Sequence, residues 1–212
     1  MPVIPISTGT NNVFPSMVEG TAAGLAAGLV ASGAVSLENV ARVSKTVTVR
    51  IEEEEDDLAL IDAALLDGAF LGSRAIWSAN VLRTFVLTRA DPAGVGLTSI
   101  GGLVHPVGVD EDAGLLIRCG DGEGTVTAPV APGLMEPVPL AQVDTMAMGD
   151  TIDVTGPGVL AFDGERERRL KPGQRSTLTL GRNGPHLIDV QKTMHIAACE
   201  GLLRNVEVPH GD

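Results

Sequence analysis

From Thr46 onward, nearly every apolar run in the chain is cut short by Gly, Pro or Asp. An interior Gly costs a helix ~1 kcal/mol relative to Ala and an interior Pro ~3 kcal/mol, so breakers at this density leave room only for short elements joined by turns. The 212 residues contain 26 Gly and 13 Pro but only four Phe, one Trp and no Tyr. Apolar residues are 44% of the chain and the glycines keep no three-residue period, which excludes a disordered or collagen-like polymer. Helix bundles are disfavoured for the same reason that short strands are favoured. The length suits one large domain, or one domain with a fragment of another, and buries enough surface to need no disulfide or metal.

Charge removes further classes. Lys and Arg number 15 against 27 Asp and Glu, a net charge of -12. A chain this acidic and poor in aromatics has neither the electrostatic footprint nor the stacking platforms for nucleic acid, and anionic membranes are poor partners. The amino terminus has no basic region followed by an apolar run, and Thr21 to Ala34 is too short and Gly-rich to span a bilayer. Cys119 and Cys199 show no metal-ligand spacing; both are expected as small core residues in a reducing cytoplasm.

Along the chain, Pro2 to Ile6 predicts a short strand that runs into the turn-forming cluster Ser7-Thr-Gly-Thr-Asn-Asn12. Val18 to Ser32 predicts a helix of small residues whose Gly20, Gly24 and Gly28 share one face, expected to pack closely on a sheet. Thr46 to Ile51 alternates polar and apolar as a half-buried strand does. The six acids Glu52 to Asp57 predict a solvated hairpin tip, and Leu58 to Leu66 a second strand, with helix as its alternative. Further strands are expected at Ala75 to Ala79, Arg83 to Thr88, Leu115 to Cys119, Gly124 to Pro129, Thr151 to Thr155, Val159 to Phe162, Ser176 to Leu180 and Leu187 to Val190. About ten short strands describe a β-sandwich or similar two-layer β domain, mainly β and α+β when the helix is counted. For Gln191 to Asn205 the pattern leaves strand and helix open.

Three motifs carry potential chemistry. In Ile4-Pro-Ile-Ser-Thr-Gly-Thr-Asn-Asn-Val-Phe-Pro15, a loop of Gly, Thr and Asn before a helix amino terminus offers backbone N–H groups and short donors to an anion, though an ordinary capped turn has the same composition. In Phe162-Asp-Gly-Glu165, Gly164 supplies a positive φ and the turn holds Glu165 at a defined place, where a carboxylate can take a proton from a hydroxyl; most Asp-Gly pairs are turns alone. In Ser99-Ile-Gly-Gly-Leu-Val-His-Pro106, His105 is an acid-base candidate, and also the kind of histidine that often just bonds a nearby carbonyl.

In order and content these motifs resemble the NAD kinase and diacylglycerol kinase superfamily. Ile4 to Pro15 is similar to its second signature, and with Glu19-Gly-Thr-Ala-Ala-Gly-Leu-Ala-Ala-Gly28 it is closer still to the ATP-NAD kinase-like branch that includes acetoin catabolism protein X. Asp163-Gly-Glu165 stands where members carry an Asp-Gly-Glu or Asp-Gly-Gln turn. Gly101-Gly-Leu-Val-His-Pro106 is similar to a Gly-Gly segment of NAD kinases, without the Thr-Gly-Ser-Thr-Ala-Tyr stretch expected before it. The resemblance implies an α/β nucleotide domain followed by a β domain, with the active site between them. It implies the carboxy-terminal part of such a protein here, because the sequence contains no Gly-Gly-Asp-Gly-Thr, the loop that holds ATP phosphates and Mg²⁺.

The expected division is therefore residues 1–34 as a strand-loop-helix remnant, 35–190 as the β-rich domain, and 191–212 returning toward the amino-terminal part. By resemblance, Thr8, Gly9, Thr10, Asn11 and Asn12 line the nucleotide site, Ser99, Gly101 and Gly102 the acceptor wall, and Glu165 with Asp163 supplies the carboxylate nearest the acceptor hydroxyl. The implied reaction is phosphoryl transfer from ATP to a hydroxyl such as the NAD 2′-hydroxyl, by a homo-oligomer paired through its β domain. The rival reading is a non-catalytic nucleotide-binding or oligomerisation domain. A lipid acceptor is disfavoured, since no basic amphipathic segment is present to meet a membrane.

Overall fold

The computed structural model describes residues 1–7, 14, 17–68 and 79–204. In chain order the elements are β1 (Pro2–Val3), α1 (Gly20–Ala31), α2 (Leu37–Val40), β2 (Ala41–Val43), β3 (Thr46–Ile51), β4 (Asp57–Ala59), β5 (Asp62–Leu66), β6 (Leu82–Leu87) and α3 (Leu97–Val104). There follow β7 (Ala113–Ala131), β8 (Leu134–Ala147), β9 (Thr151–Thr155), β10 (Gly158–Phe162), β11 (Arg166–Leu170), β12 (Arg175–Gly181), β13 (His186–Ile188) and α4 (Val190–Cys199). The chain is mainly β, of α+β type. It divides into two units, Ser44–Gly184 and a second made of Met1–Val43 with the residues from Pro185 on. The sequence expectation had drawn these boundaries after residues 34 and 190.

In the larger unit a six-stranded sheet, ordered β11-β10-β5-β6-β7-β8, packs on a four-stranded sheet, ordered β4-β3-β12-β9. Alternation explains the layering. Ala63, Leu65, Val86, Leu116, Leu160 and Phe162 point into the sandwich, where they meet Val47, Val49, Leu178 and Leu180. Their neighbours Ala64, Leu66, Phe85, Leu87, Leu115 and Ile117 point to the other face, which Leu97 and Ile100 of α3 help to cover. Because the central strands are buried on both sides, Ala63 to Leu66 and Phe85 to Leu87 are continuous apolar runs rather than alternating ones. Each fully buried Leu or Phe contributes ~1.5–3 kcal/mol, so this double-sided burial is the main source of stability.

Several expectations change. Leu58 to Leu66 is two strands, β4 and β5, parted at Leu60 and Ile61. The expected strands at Leu115 to Cys119 and Gly124 to Pro129 are one strand, β7, in which Cys119 and Gly124 both pair with Leu140 and the residues between them bulge out. Its partner β8 and the charged strand β11 were not anticipated. Proline at 137 and 139 disguises β8, which tolerates them as the outermost strand of its sheet. Most of the expected strand at Ala75 to Ala79 lies outside the described residues.

In the smaller unit β1, β13 and β2 form a three-stranded sheet, with β1 and β13 parallel and β13 and β2 antiparallel. Helix α1 begins at Glu19, whose carboxylate accepts from the N–H groups of Thr21 at 2.8 Å and Ala22 at 3.1 Å. Its Ala23, Ala26 and Leu29 are buried, and Ala23 and Ala26 pack with Val190 of α4. The Gly20, Gly24 and Gly28 face is turned outward: all three are exposed, and a Cβ at any of them would meet no described atom within 4 Å beyond its own stretch of helix. The expected close packing of that stripe is therefore corrected, because the alanines between the glycines already form the buried face. The undecided end of the chain resolves as helix α4, capped by Asp189 accepting from the Lys192 N–H at 2.9 Å.

Candidate functional site

Thr8, Gly9, Thr10, Asn11 and Asn12 lie outside the described residues. The other candidates fall on two elements of the larger unit. Ser99, Gly101 and Gly102, expected along the acceptor wall, sit on the buried face of α3. Ser99 Oγ donates to the carbonyls of Gly96 at 2.8 Å and Pro129 at 3.1 Å. A Cβ at Gly102 would stand 2.2 Å from the Asp91 carbonyl carbon and Pro92 nitrogen, and one at Gly101 would strike Leu87 at 2.4 Å. These residues therefore allow α3 to lie directly on β6 and the loop after it. His105 ends α3 and is exposed.

Asp163 and Glu165 occupy the turn between β10 and β11. The Glu165 N–H donates to the Phe162 carbonyl at 3.1 Å, and both central residues are left-handed, Asp163 at φ 54° and Gly164 at φ 73°. That is the backbone an Asp-Gly pair favours in a tight hairpin. The Asp163 carboxylate turns inward and accepts from the N–H groups of Leu60 at 2.9 Å and Ile61 at 2.7 Å, with a longer contact to Asp62 at 3.3 Å. It fastens the break between β4 and β5 to the β10–β11 turn. Glu165 is exposed and free of that task.

This turn gathers residues that motif reasoning missed. Asp62 begins β5 beside Asp163; burial, reinforced by the Asp163 charge, pushes its carboxyl up to about 7 against the pull of Arg89. Asp57 receives the Arg166 guanidinium, which also bonds the Leu58 carbonyl and lies 5.7 Å from the centre of the Phe162 ring, while Arg168 Nε stands 3.4 Å from Asp57. Burial opposes ionisation of Asp57, but the Leu58 N–H and the two guanidiniums prevail and hold its carboxyl below the usual range. The one sequence signal for Asp62 is an Asp inside an otherwise apolar run, Leu58 to Leu66. Chemically, the turn combines a carboxyl that exchanges protons near neutrality, an exposed carboxylate and two half-exposed guanidiniums. Among the described residues no group of three Asp, Glu, His or Cys is arranged to hold a metal ion such as Mg²⁺.

A second charged cluster is structural. Lys45 is buried and its Nζ donates to the carbonyls of Gly108 and Ala113, each at 2.7 Å, while Arg182 grips the same loop through Asp112 at 2.9 Å and the Glu111 carbonyl at 2.9 Å. Burial and then the Arg182 charge bring the Lys45 ammonium down to about 8. The expectation that both thiols are core residues holds for Cys119, which burial pushes up to about 11. It is corrected for Cys199, which is exposed at the end of α4. No helix among the described residues is long and apolar enough to cross a membrane.

The chain is 37% identical over 217 residues to acetoin catabolism protein X of Cupriavidus necator, a match that covers 99% of this chain and 60% of the relative. Among solved structures it is similar to yeast NADH kinase complexed with NADH, with a TM-score of 0.40 and 14% identity over 82% of this chain and 51% of that one. The acetoin catabolism protein X C-terminal domain matches residues 45–183, nearly the whole of the larger unit. The chain thus belongs to the family of acetoin catabolism protein X C-terminal domains.

Proposed function

We propose that this chain is the acceptor-binding part of an NAD kinase-like protein, one that transfers a phosphoryl group from ATP to a hydroxyl, the NAD 2′-hydroxyl being the leading acceptor. The observation that carries the reading is family membership, joined to the loop Ile4 to Pro15, whose Gly, Thr and Asn residues suit a nucleotide. Phosphoryl transfer asks a protein chiefly to position reactants and offset charge, because its transition state is loose. In this reading Thr8 to Asn12 contact the nucleotide, and Glu165 receives the acceptor proton at a turn held rigid by Asp163. The reading includes a cytoplasmic location and self-association through the β-rich unit.

The 212-residue chain spans 60% of its relative's length and contains no Gly-Gly-Asp-Gly-Thr, so by itself it is expected to bind nucleotide without phosphorylating NAD. Titration with ATP, NAD and NADP by calorimetry and thermal shift tests this. Binding at about 100 times the dissociation constant should add ~2.7 kcal/mol of stability, lost in Asn11→Ala and Glu165→Ala. The inward use of Asp163 favours the second reading, a non-catalytic nucleotide-binding or oligomerisation domain, for that residue at least. No stabilisation by any of the three nucleotides, with a dimer or larger species in light scattering, would select the oligomerisation form of it.

A further inference from the structure

Helix α4 carries a pair of ligand atoms that the proposed function does not use. His195 and Cys199 are one helical turn apart, so their side chains project from the same face, and both residues are exposed. The Cys199 Sγ lies 3.7 Å from His195 Nε2. For a tetrahedral zinc ion bonded to sulfur at about 2.3 Å and to nitrogen at about 2.0–2.1 Å, the two ligand atoms stand about 3.6 Å apart. The pair therefore already has the sulfur–nitrogen separation of a chelate.

The helix that presents them is well anchored. Val190, Thr193 and Ala197 are buried on its opposite face, Asp189 caps its first turn, and Thr193 Oγ1 donates to the Asp189 carbonyl at 2.7 Å. A chelate on a fixed helix loses little conformational freedom on binding, unlike one on a loop. The contrast with Cys119 is chemical as well as positional, since that thiol is partly buried and pushed toward its neutral form.

We propose that His195 and Cys199 form a bidentate site for a borderline divalent cation, Zn²⁺ in the first place, with water completing the shell. A thiolate and an imidazole select zinc or cobalt over magnesium and calcium, which prefer oxygen. On binding, the Cys199 thiol passes its proton to solvent and the sulfur bonds the metal, while neutral His195 supplies the Nε2 lone pair and no redox change occurs. The affinity falls as the solution is acidified, because protons compete for both ligands.

Cobalt(II) is the probe. The reduced, chelator-treated 212-residue chain should bind one equivalent, with a sulfur-to-cobalt charge-transfer band in the near ultraviolet and tetrahedral bands in the visible, all displaced by Zn²⁺. Cys199→Ser should abolish the charge-transfer band, and His195→Ala should weaken binding by roughly tenfold or more, as losing a ligand costs at least what losing a supporting contact does. Both residues are exposed, so circular dichroism should show each variant folded. Absence of the band in the parent chain, its survival in Cys199→Ser, or unchanged affinity in His195→Ala would each overturn the assignment.

Discussion

Two acidic turns of the larger unit use one backbone device for opposite ends. At the tip joining β3 and β4, Glu53 adopts φ 64°, the Glu54 N–H donates to the Ile51 carbonyl at 3.1 Å, and Glu52 to Asp56 are all exposed. At the turn joining β10 and β11, Asp163 adopts φ 54°, but its side chain is 7% exposed and its carboxylate accepts backbone N–H groups of the β4–β5 break. One carboxylate is spent on solubility, the other on joining segments a hundred residues apart. Only Asp57, last of the six consecutive acids, crosses between the two regions, where Arg166 and Arg168 hold it. What decides a carboxylate's role is therefore the supply of donors around it, and a count of acids does not reveal that supply.

The comparison can be broken most directly by alanine. Asp163→Ala leaves the Leu60 and Ile61 N–H groups without their acceptor, and bonds to a charged group are worth ~1.5–3 kcal/mol each, so a loss of about 3 kcal/mol or more is expected in urea denaturation. Glu53→Ala should stay within ~0.5 kcal/mol of the parent chain, as exposed substitutions usually do. Equal costs for the two would erase the distinction.

Acid and base titration sharpens it next. Asp62 is raised from its usual 3.8 to about 7, so between those values the folded chain holds a proton that the unfolded chain has released. Its contribution to stability must then decline as pH rises from about 4 to about 7, and the penalty is full above that range. Asp62→Asn should remove this component from the pH dependence of the melting temperature. Asp163→Asn should move its midpoint downward, since the Asp163 charge is part of the cause.

Smaller effects test the backbone. A left-handed non-glycine residue costs ~1–2 kcal/mol, and Gly returns part of that gain as unfolded-state entropy, so Glu53→Gly should stabilise the chain by roughly 0.5 kcal/mol. Asp163→Gly relieves the same strain and should nevertheless destabilise, because the captured N–H groups outweigh it. Smallest of all, Glu165→Ala should alter stability by less than ~0.5 kcal/mol, even where it abolishes nucleotide binding. A large loss of stability would make Glu165 a structural residue like its neighbour.

Much of the fold was legible because strand period and turn chemistry are local properties. Thr46 to Ile51 and Thr151 to Thr155 coincide with β3 and β9, and the Asp163-Gly164 turn lies where its residues call for one. Most of the misses trace to partners remote in sequence. Strand β8 lacks a clean alternation because its pairing register shifts beside Leu140, so Val138 and Leu140 before the shift and Val143 after it pack on one core, and its prolines look like stops until the strand is seen at a sheet edge. Ser99 to Gly102 was expected as part of an acceptor wall, because a glycine needed for close packing on Asp91 and Pro92 cannot be told from one needed for close approach of a ligand. The Asp62 carboxyl and the His195–Cys199 pair escaped for different reasons. Asp62 is set by burial and then by the charge of Asp163, far along the chain, whereas the one-turn spacing of the pair was readable once α4 was known to be a helix.

The sequence by itself determined the class of the molecule: short strands, many turns, a surplus of negative charge, a set of motifs that resemble a nucleotide-dependent family. These follow from propensity, periodicity and composition, which act between neighbours or over the whole chain at once. Tertiary structure decided which acids face water and which face amides, which thiol is partly buried and which stands beside an imidazole, and on which side the α1 glycines lie. Those outcomes depend on burial and on the distance between residues remote in the chain, and only the folded arrangement of the sheets and helices sets them.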